Sequence, residues 1–541
     1  MSVQKKVASG NSIKVNIAIM ISEIRIQNLR SLKDTGYINL RPVNILVGAN
    51  SSGKSTFLRA FLLLAQSVTK RLRGPIAWFD DSLVDFGDFE TSKNRNTTPD
   101  ETIVFSFKLV NIQTFRTQML RVFRRLNSSF QNAIQNITVN IFYDSDSKGT
   151  YVPKVTLLFE STSVEFSLAD RNSQLKMKIN GKENNTISYI WRQGLDMGLL
   201  PMLQINPSND FQSVSVSSLE AALIDKTLGV LKKVCGKRFS HIHRLSPILS
   251  MWTIDKSEFL NKVKSFNEIK SLQDNAQNWT VDTPIFLELY NGILGLFIYS
   301  IWPSISFDLA NYFENCDYVA PLRAEAKRYY RNQGLQVNRI DSFGRNLSEF
   351  IDSLTETQRA SYNDFVKKVL GIRIIVRNST GHQTINLRDG DNEYNIADVG
   401  FGYSQILPII TKLWFVQERN RFNSLDYYRQ PIVTSLIEQP ELHLHPALQA
   451  KLADAILKAA TMTDSIHNRT IFIVESHSPT FINRIGRRIR ESNVALDDVN
   501  ILIFNKDKET GNSTVEVTQF NERGQIENWP YGFFDPEDDV F

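Results

Sequence analysis

One stretch limits what this chain can fold into more than any other: Gly48-Ala49-Asn50-Ser51-Ser52-Gly53-Lys54-Ser55. It follows the apolar run Val43-Asn44-Ile45-Leu46-Val47 and leads into Thr56-Phe57-Leu58-Arg59-Ala60-Phe61-Leu62-Leu63-Leu64. A strand, a Gly-rich turn and a helix thus come in the order that a P-loop needs. Gly48 and Gly53 let the backbone around Asn50, Ser51, Ser52 and Thr56 curl round a phosphate, Lys54 has the reach for β and γ oxygens, and the Ser55 hydroxyl can ligate Mg2+. The new helix aims its positive end at the same anion. ATP and Mg2+ are the expected ligands, and a strand feeding such a loop implies an α/β fold.

The chain of 541 residues is long enough for several domains at roughly 100–200 residues each. With 42% hydrophobic, 11% aromatic and 22% charged residues it has the makings of a large packed core, which argues against extensive disorder. A net charge of +5 is too small at this size to argue for nucleic-acid binding, which would have to come from local patches. Cys235 and Cys316 are the only cysteines, so a secreted disulfide framework is excluded and a reducing cytoplasm is expected. The longest apolar run, Gly292 to Trp302, meets Pro303 well short of the ~20 residues of a membrane span. It reads as a buried helix that ends there, and no membrane partner is expected. Residues 1–19 lack the apolar core of a signal peptide and read as a flexible leader.

From Met20 the pattern is regular. Alternating segments lead into the P-loop strand, and further alternating runs at 103–107, 137–141, 155–159, 164–168 and 175–179 predict an antiparallel sheet with short turns. Residues 20–185 are therefore expected to form a first lobe. From about Gly181 alternation gives way to helical spacing, which predicts a mainly helical insertion at 186–317 and a second lobe at 318–541. The insertion carries no sustained heptads, so a long coiled-coil arm is not expected. Cys235, His241 and His243 lack a fourth ligand at zinc spacing. Lys232, Lys233, Lys237 and Arg238 suit a solvated helix face better than a nucleic-acid groove.

Three later motifs add chemistry. Gly400-Phe401-Gly402-Tyr403-Ser404-Gln405 turns into a helix, offering amides and a hydroxyl to an anion. Pro431 to Glu438 is an apolar strand ending in a carboxylate, continued by Gln439-Pro440-Glu441-Leu442-His443-Leu444-His445-Pro446. Beside a P-loop, Glu438 can hold the Mg2+ hydration shell and Glu441 can act as a base or orient a water. Thr470 to Val474 is another apolar strand, ending in Glu475-Ser476-His477-Ser478-Pro479, where a neutral imidazole can bond a γ-phosphate or the attacking water. The segment Tyr318 to Tyr330 is too rich in charge and tyrosine to be core, and suits phosphate or partner contacts or a plain surface loop.

Taken in order, these four motifs resemble the ABC-type ATPase heads of the SMC, RecF and OLD group, from about Ile21 to the C-terminus with the insertion between. The resemblance implies a two-lobed α/β head and a homodimer in which two heads sandwich two ATP molecules. By match, Gly48, Gly53, Lys54, Ser55 and Thr56 take the Walker A place, and Gly402, Ser404 and Gln405 that of the signature touching ATP across the dimer. Glu438 takes the place of the Walker B acid, His445 falls in the D-loop region, and His477 that of the switch histidine. Family members commonly carry a second acid directly after the Walker B acid. Gln439 stands there, and an amide cannot accept a proton, so slow hydrolysis or reliance on Glu441 is expected.

Pro321-Leu322-Arg323-Ala324 with Lys327-Arg328-Tyr329-Tyr330, and Trp529-Pro530-Tyr531-Gly532-Phe533-Phe534-Asp535, resemble the ATPase subunit of Septu-type bacterial anti-phage systems, including retron-associated ones. This implies a separate HNH-type nuclease as partner, and in retron versions a reverse transcriptase with its RNA–DNA product. OLD nucleases carry a Toprim domain after the head, whereas about sixty residues follow His477 here, too few for that domain. The alternative is a RecF-like repair ATPase that binds DNA directly. A transporter subunit is disfavoured by the insertion and by the lack of a Leu-Ser-Gly-Gly-Gln string.

Because the Lys54 ammonium supplies the charge-assisted contact to the terminal phosphates, Lys54→Ala is expected to abolish nucleotide binding. Calorimetry with a non-hydrolysable ATP analogue checks this, and undiminished affinity would contradict the P-loop assignment.

Overall fold

A computed structural model of the chain describes residues 20–110, 136–183, 189–192, 198–205, 216–236, 245–331, 334, 336–422, 432–461 and 470–529. The expected leader, His241, His243, Lys237, Arg238 and residues 530–535 lie outside the described residues.

Strands β1 (Met20–Leu29), β2 (Leu32–Asp34), β3 (Ile38–Asn39) and β4 (Val43–Gly48) precede α1 (Lys54–Thr69), the P-loop helix. An antiparallel run follows: β5 (Ile103–Val110), β6 (Asn136–Asp146), β7 (Gly149–Leu158), β8 (Ser163–Ser167), β9 (Lys176–Ile179) and β10 (Lys182–Glu183). The alternating runs seen in the sequence are strands here because one face is covered: Ile137, Val139, Ile141 and Tyr143 of β6 are all fully buried while their neighbours are half-buried.

The segment read as helical from Gly181 opens instead with a second small sheet, β11 (Tyr189–Arg192) paired with β12 (Met202–Ile205). Helices Val216–Cys235, Leu245–Met251, Lys256–Ser265 and Lys270–Ala276 come next, then α2 (Pro284–Glu314). The expectation that this last helix stops at Pro303 is corrected: it runs 31 residues through the proline. Among the described residues it is the one helix long and apolar enough to cross a membrane. Most of its apolar side chains, Phe307 excepted, are nonetheless buried inside the protein; Phe313 packs against Phe61 of α1 and Phe107 of β5, with ring centroids 6.1 and 5.6 Å apart. Burial of this kind, at about 1.5–3 kcal/mol per large side chain, outweighs the roughly 3 kcal/mol that an interior proline costs a helix.

The rest of the chain supplies β13 (Cys316–Val319) and a small antiparallel sheet of β14 (Tyr330–Arg331), β15 (Arg373–Ser379), β16 (His382–Asp389) and β17 (Asn392–Asn395). Then α3 (Phe401–Phe422), β18 (Val433–Glu438), α4 (Pro446–Thr461), β19 (Thr470–Glu475), α5 (Pro479–Arg490), β20 (Val499–Lys506) and β21 (Ser513–Thr518) complete the described chain. Among the described residues the main sheet has 15 strands, in the order β10-β9-β8-β7-β6-β5-β1-β2-β21-β20-β4-β19-β18-β13 with β3 on β1. β20, β4, β19, β18 and β13 are mutually parallel. The molecule is thus a mixed α/β fold.

Both faces of the parallel part are covered, which is why its strands read as unbroken apolar runs. Leu46, Ile471, Ile473, Leu436, Leu502 and Phe504 join one core with α1 and α2. Val43, Ile45, Val47, Ile437, Phe472 and Val474 join the other, with α3, α4 and α5. By the same alternation Glu438 and Glu475 fall on the α1 face.

Gly486 of α5 and Gly524 cross so closely that a Cβ on either would run into the other's carbonyl oxygen. Gly486→Ala is therefore expected to cost about 1–3 kcal/mol and to lower the melting temperature. Calorimetric unfolding tests this; an unchanged transition would mean that the 520–526 segment does not lie on α5.

Candidate nucleotide site

The P-loop backbone is shaped by its glycines. At Gly48, φ is 152°, and a Cβ would meet the carbonyl oxygen of Phe504 on β20; at Gly53, the residue before α1, φ is 100°. Ala49, Asn50 and Ser51 are exposed at the rim of the turn, whereas Ser52 and Lys54 are buried. The Lys54 ammonium folds over the loop and donates to the carbonyl oxygens of Gly48 and Ala49, at 2.9 and 2.7 Å. Burial pulls its pKa below the usual lysine value. Thr56 follows on the first turn of α1.

The acids arrive by sheet register. Glu438 ends β18 directly beside Glu475, which ends β19, and Glu475 in turn lies beside Leu46 of the P-loop strand. Glu475 is thus one strand nearer the loop. Ser55 Oγ donates to Glu475 Oε2 at 2.8 Å, and Lys54 Nζ stands 4.0 Å from Glu475 Oε1. Burial first, and the charge of Glu438 after it, push the Glu475 carboxyl above its usual range. Glu438, expected from sequence to hold the Mg2+ hydration shell, has its own partners. Arg59 grips it with two bonds of 2.7 and 2.8 Å, and Tyr318 donates its hydroxyl at 2.9 Å. From sequence Glu475 and Arg59 carry no role, and Tyr318 belongs to a segment expected to lie outside the core; that expectation is corrected at its start, where Tyr318, Val319, Ala320 and Arg323 are buried. The signal for Arg59 was its spacing, four residues past Ser55 and so on the same face of α1.

Gln439 has a left-handed backbone, φ 44°, rarely taken by non-glycine residues and often found at functional turns. Its N–H donates to the Glu475 carbonyl at 2.8 Å, and its own carbonyl accepts from Arg323 Nη2 at 3.2 Å. Glu441 Oε1 accepts from the His477 N–H at 2.6 Å, while His477 Nε2 lies 4.0 Å from Glu475 Oε1. Burial raises the pKa of Glu441; burial, and then the Lys54 charge, lower that of His477, favouring the neutral ring. Glu438, Gln439, Glu441, Glu475 and His477 thus gather beside Ser55 and Lys54.

Gly402, Ser404 and Gln405 lie at the start of α3. Ser404 Oγ donates to the Phe401 carbonyl at 2.7 Å and lines a cavity of about 320 Å³ with Lys327, Arg345 and Tyr330, among others; P-loop residues are not in that lining. Gly402 approaches the His443 carbonyl. Gln405 faces inward: its Oε1 accepts from the Arg323 N–H and Nε–H, both at 3.4 Å, and its amide donates to the Arg323 carbonyl at 3.2 Å. Arg323 therefore joins the start of α3 to the Gln439 turn, a link that the sequence reading missed. Burial lowers its pKa to about 10. His445 accepts from the Ala447 N–H at the start of α4 and is exposed.

Four polar atoms here, Ser52 Oγ, Arg323 Nη1, Glu441 Oε2 and His477 Nε2, are buried without a hydrogen-bond partner in the protein. Leaving such a group unpaired costs about 1–3 kcal/mol. A triphosphate with its metal and waters offers the missing donors and acceptors, so the residues fit Mg2+·ATP. Among the described residues, this site included, three or more His, Cys, Asp or Glu side chains are nowhere grouped to hold a metal ion by themselves.

The sequence matches the family described as AAA ATPase domain over residues 20–482. The chain belongs to that family. Residues 494–539 of this AAA ATPase match a second family, described as Protein of unknown function (DUF3696). Among solved structures it is similar to the Smc head domain with an extended coiled coil bound to the C-terminal domain of ScpA, from Pyrococcus furiosus. The identity there is 13% and the TM-score 0.32, over 93% of this chain and 96% of that one. The SMC head domain from Thermotoga maritima gives 10% and 0.31 over 92% and 97%. The recombination mediator protein RecF gives 12% and 0.28 over 93% and 99%. No curated protein matches the sequence.

The raised pKa of Glu441 has a sign that can be tested. A carboxyl whose folded pKa exceeds its unfolded value, about 4.3, favours folding while protonated, and that contribution is lost as pH rises through the folded pKa. Glu441→Gln, which carries no charge, is expected to melt higher than the wild-type AAA ATPase at pH 7–8, with the gap closing below about pH 4. A gap that widens on acidification would contradict the assigned environment.

Proposed function

We propose that this AAA ATPase is the nucleotide-operated subunit of a bacterial anti-phage defence complex, working in the cytoplasm and controlling a separate HNH-type nuclease. The observation that carries the ATPase part is the convergence at the P-loop, where Lys54, Ser55, Glu475, Glu441 and His477 meet beside a turn open at Asn50 and Ser51. The resemblance of 321–330 and of the C-terminal segment to Septu-type ATPase subunits supports the defence part.

Bound ATP supplies the phosphoanhydride, and Mg2+ supplies positive charge against its oxygens. Lys54, now bonded to the Gly48 and Ala49 carbonyls, would hold the terminal phosphates, and Ser55 with a strand-end carboxylate would hold the metal. His477 Nε2 and Glu441 Oε2, both unpaired and buried, are suited to bond the γ-phosphate and the attacking water. Gln439 stands where a base is usual and cannot take a proton, so turnover is slow and the ATP-bound state persists as a signal. Ser404 opens toward a cavity lined by Lys327 and Arg345 rather than toward its own P-loop, which favours a phosphate brought by a second head. The working unit is then a homodimer closed on ATP. Arg323 ties that contact, through Gln405, to the Gln439 turn.

Single-turnover hydrolysis tests the switch. Gln439→Glu is expected to raise the rate by about tenfold or more, up to the roughly 10²–10⁴ of a well-positioned base, and Glu441→Gln to lower what remains. In cells, Lys54→Ala is expected to abolish protection against phage. Rapid wild-type hydrolysis untouched by either change would remove the basis for a slow switch, and protection that survives Lys54→Ala would remove the defence role of ATP.

A further inference from the structure

We propose that the solvent face of the small sheet β14–β17 binds a single-stranded nucleic acid, its phosphates held by Arg331, Arg373, Arg377 and Arg388 and its bases stacked on Tyr329 and His382. The site goes beyond the ATPase function and does not depend on it. A net charge of +5 leaves such binding to a local patch, and this face is one.

Register builds the face. β15 and β16 pair with Arg373 opposite Arg388, Ile375 opposite Asn386, Arg377 opposite Thr384 and Ser379 opposite His382. β14 sets Arg331 beside His382, and β17 sets Glu393 beside Arg388. Paired residues point to the same side of a sheet, and the residues between them point to the other. Ile374, Ile385 and Leu387 accordingly lie in the core beneath, while all four arginines are exposed. From His382 to Arg388 the face runs about 20 Å along the strand, at roughly 3.4 Å per residue. Asp389 and Asp391, at the hairpin between β16 and β17, bound it at that end.

Charge is the argument for an anion. The four arginines share this face with one carboxylate, Glu393, which accepts from Arg377 at 2.6 and 2.8 Å, from Arg388 at 3.0 Å and from the Asn386 amide at 2.7 Å. Two guanidinium groups are thereby fixed in place and the face stays cationic. Among the described residues Arg331 and Arg373 pair with no carboxylate. Arg373 directly opposite Arg388 is a like-charge pair, which costs a sheet stability unless a counter-charge lies over it. A run of phosphates supplies that charge, and guanidinium groups match phosphate oxygens in a forked geometry. The rings decide what carries the phosphates. At the β14 end Tyr329 and His382 lie together with centroids 6.2 Å apart, both exposed, Tyr329 by 61%. Exposed rings beside arginines give unpaired bases a stacking platform whatever their identity. A duplex keeps its base faces covered, so a single strand is the occupant that uses both features.

The test reads charge and stacking separately. Binding of a fluorescent oligothymidylate of about 20 nucleotides, longer than common single-strand sites, to the full chain is followed by anisotropy over a series of salt concentrations. The logarithm of the binding constant is expected to fall linearly with that of the salt concentration. Arg331→Gln and Arg373→Gln are each expected to flatten the slope by about 0.7, the value of one phosphate contact on a single strand, and Arg373→Lys to keep it. Tyr329→Ala is expected to weaken binding by about fivefold or more with the slope unchanged. Arginine and tyrosine variants that are folded by circular dichroism and bind as the wild type does would overturn the site. A wild-type chain that binds no oligonucleotide overturns it as well. So does a duplex of the same length, or polyglutamate, that displaces the probe as well as unlabelled oligothymidylate does, since the face would then read charge alone.

Discussion

The site depends on one constraint, the parallel register that sets β19 between the P-loop strand and β18. Parallel strands end on the same side of a sheet, so three consecutive strand ends deliver the Gly-rich turn, Glu475 and Glu438 to one edge. Because β-strands alternate, each acid also falls on the face that carries α1, where Ser55 and Arg59 wait one helical turn apart. A slip of one residue in β19 would turn Glu475 to the opposite core and put Val474 or Ser476 against Ser55. The packing of Ile471 and Ile473 on one side and of Phe472 and Val474 on the other opposes such a slip, since it would expose each to the wrong neighbours.

Three charged side chains of the site lie deep in the core. Lys54, Glu438 and Glu475 are each 3% exposed or less. The protein handles them differently. Glu438 is fully bonded by Arg59 and Tyr318, and so resembles a structural ion pair. Lys54 and Glu475 are drawn toward their neutral forms by burial, and Glu441 and His477 keep one polar atom each without a partner. Unpaired buried groups cost stability, and a ligand that satisfies them recovers it. The same atoms that cost the protein stability are those that a metal-bound triphosphate would satisfy, and Arg323 extends the polar network to the start of α3.

Much of the fold was legible because it rests on periodicity and on turn chemistry. The Gly-rich loop, the alternating strands from Ile103 to Ile179 and the helix opening at Phe401 all follow from local rules. The end of α2 was not, since Pro303 breaks a helix only where nothing else holds it, and here the apolar surroundings do. Within the site, the residue types were visible but not their pairing. Glu438 and Glu475 each end an apolar strand, and sequence alone does not say which strand lies next to the P-loop. Sheet order decides that, and with it which acid meets Ser55. Arg323, Gln405 and Gln439 lie far apart in the chain, so their contact was equally hidden.

The most direct measurement of the central claim is a crystal structure of the full chain with Mn2+ and a non-hydrolysable ATP analogue, using the anomalous signal to locate the metal. The account predicts a peak beside Ser55, and the Lys54 ammonium moved from the Gly48 and Ala49 carbonyls to the phosphates. A metal bound away from Ser55, or a Lys54 still folded on the loop with the nucleotide elsewhere, would contradict it.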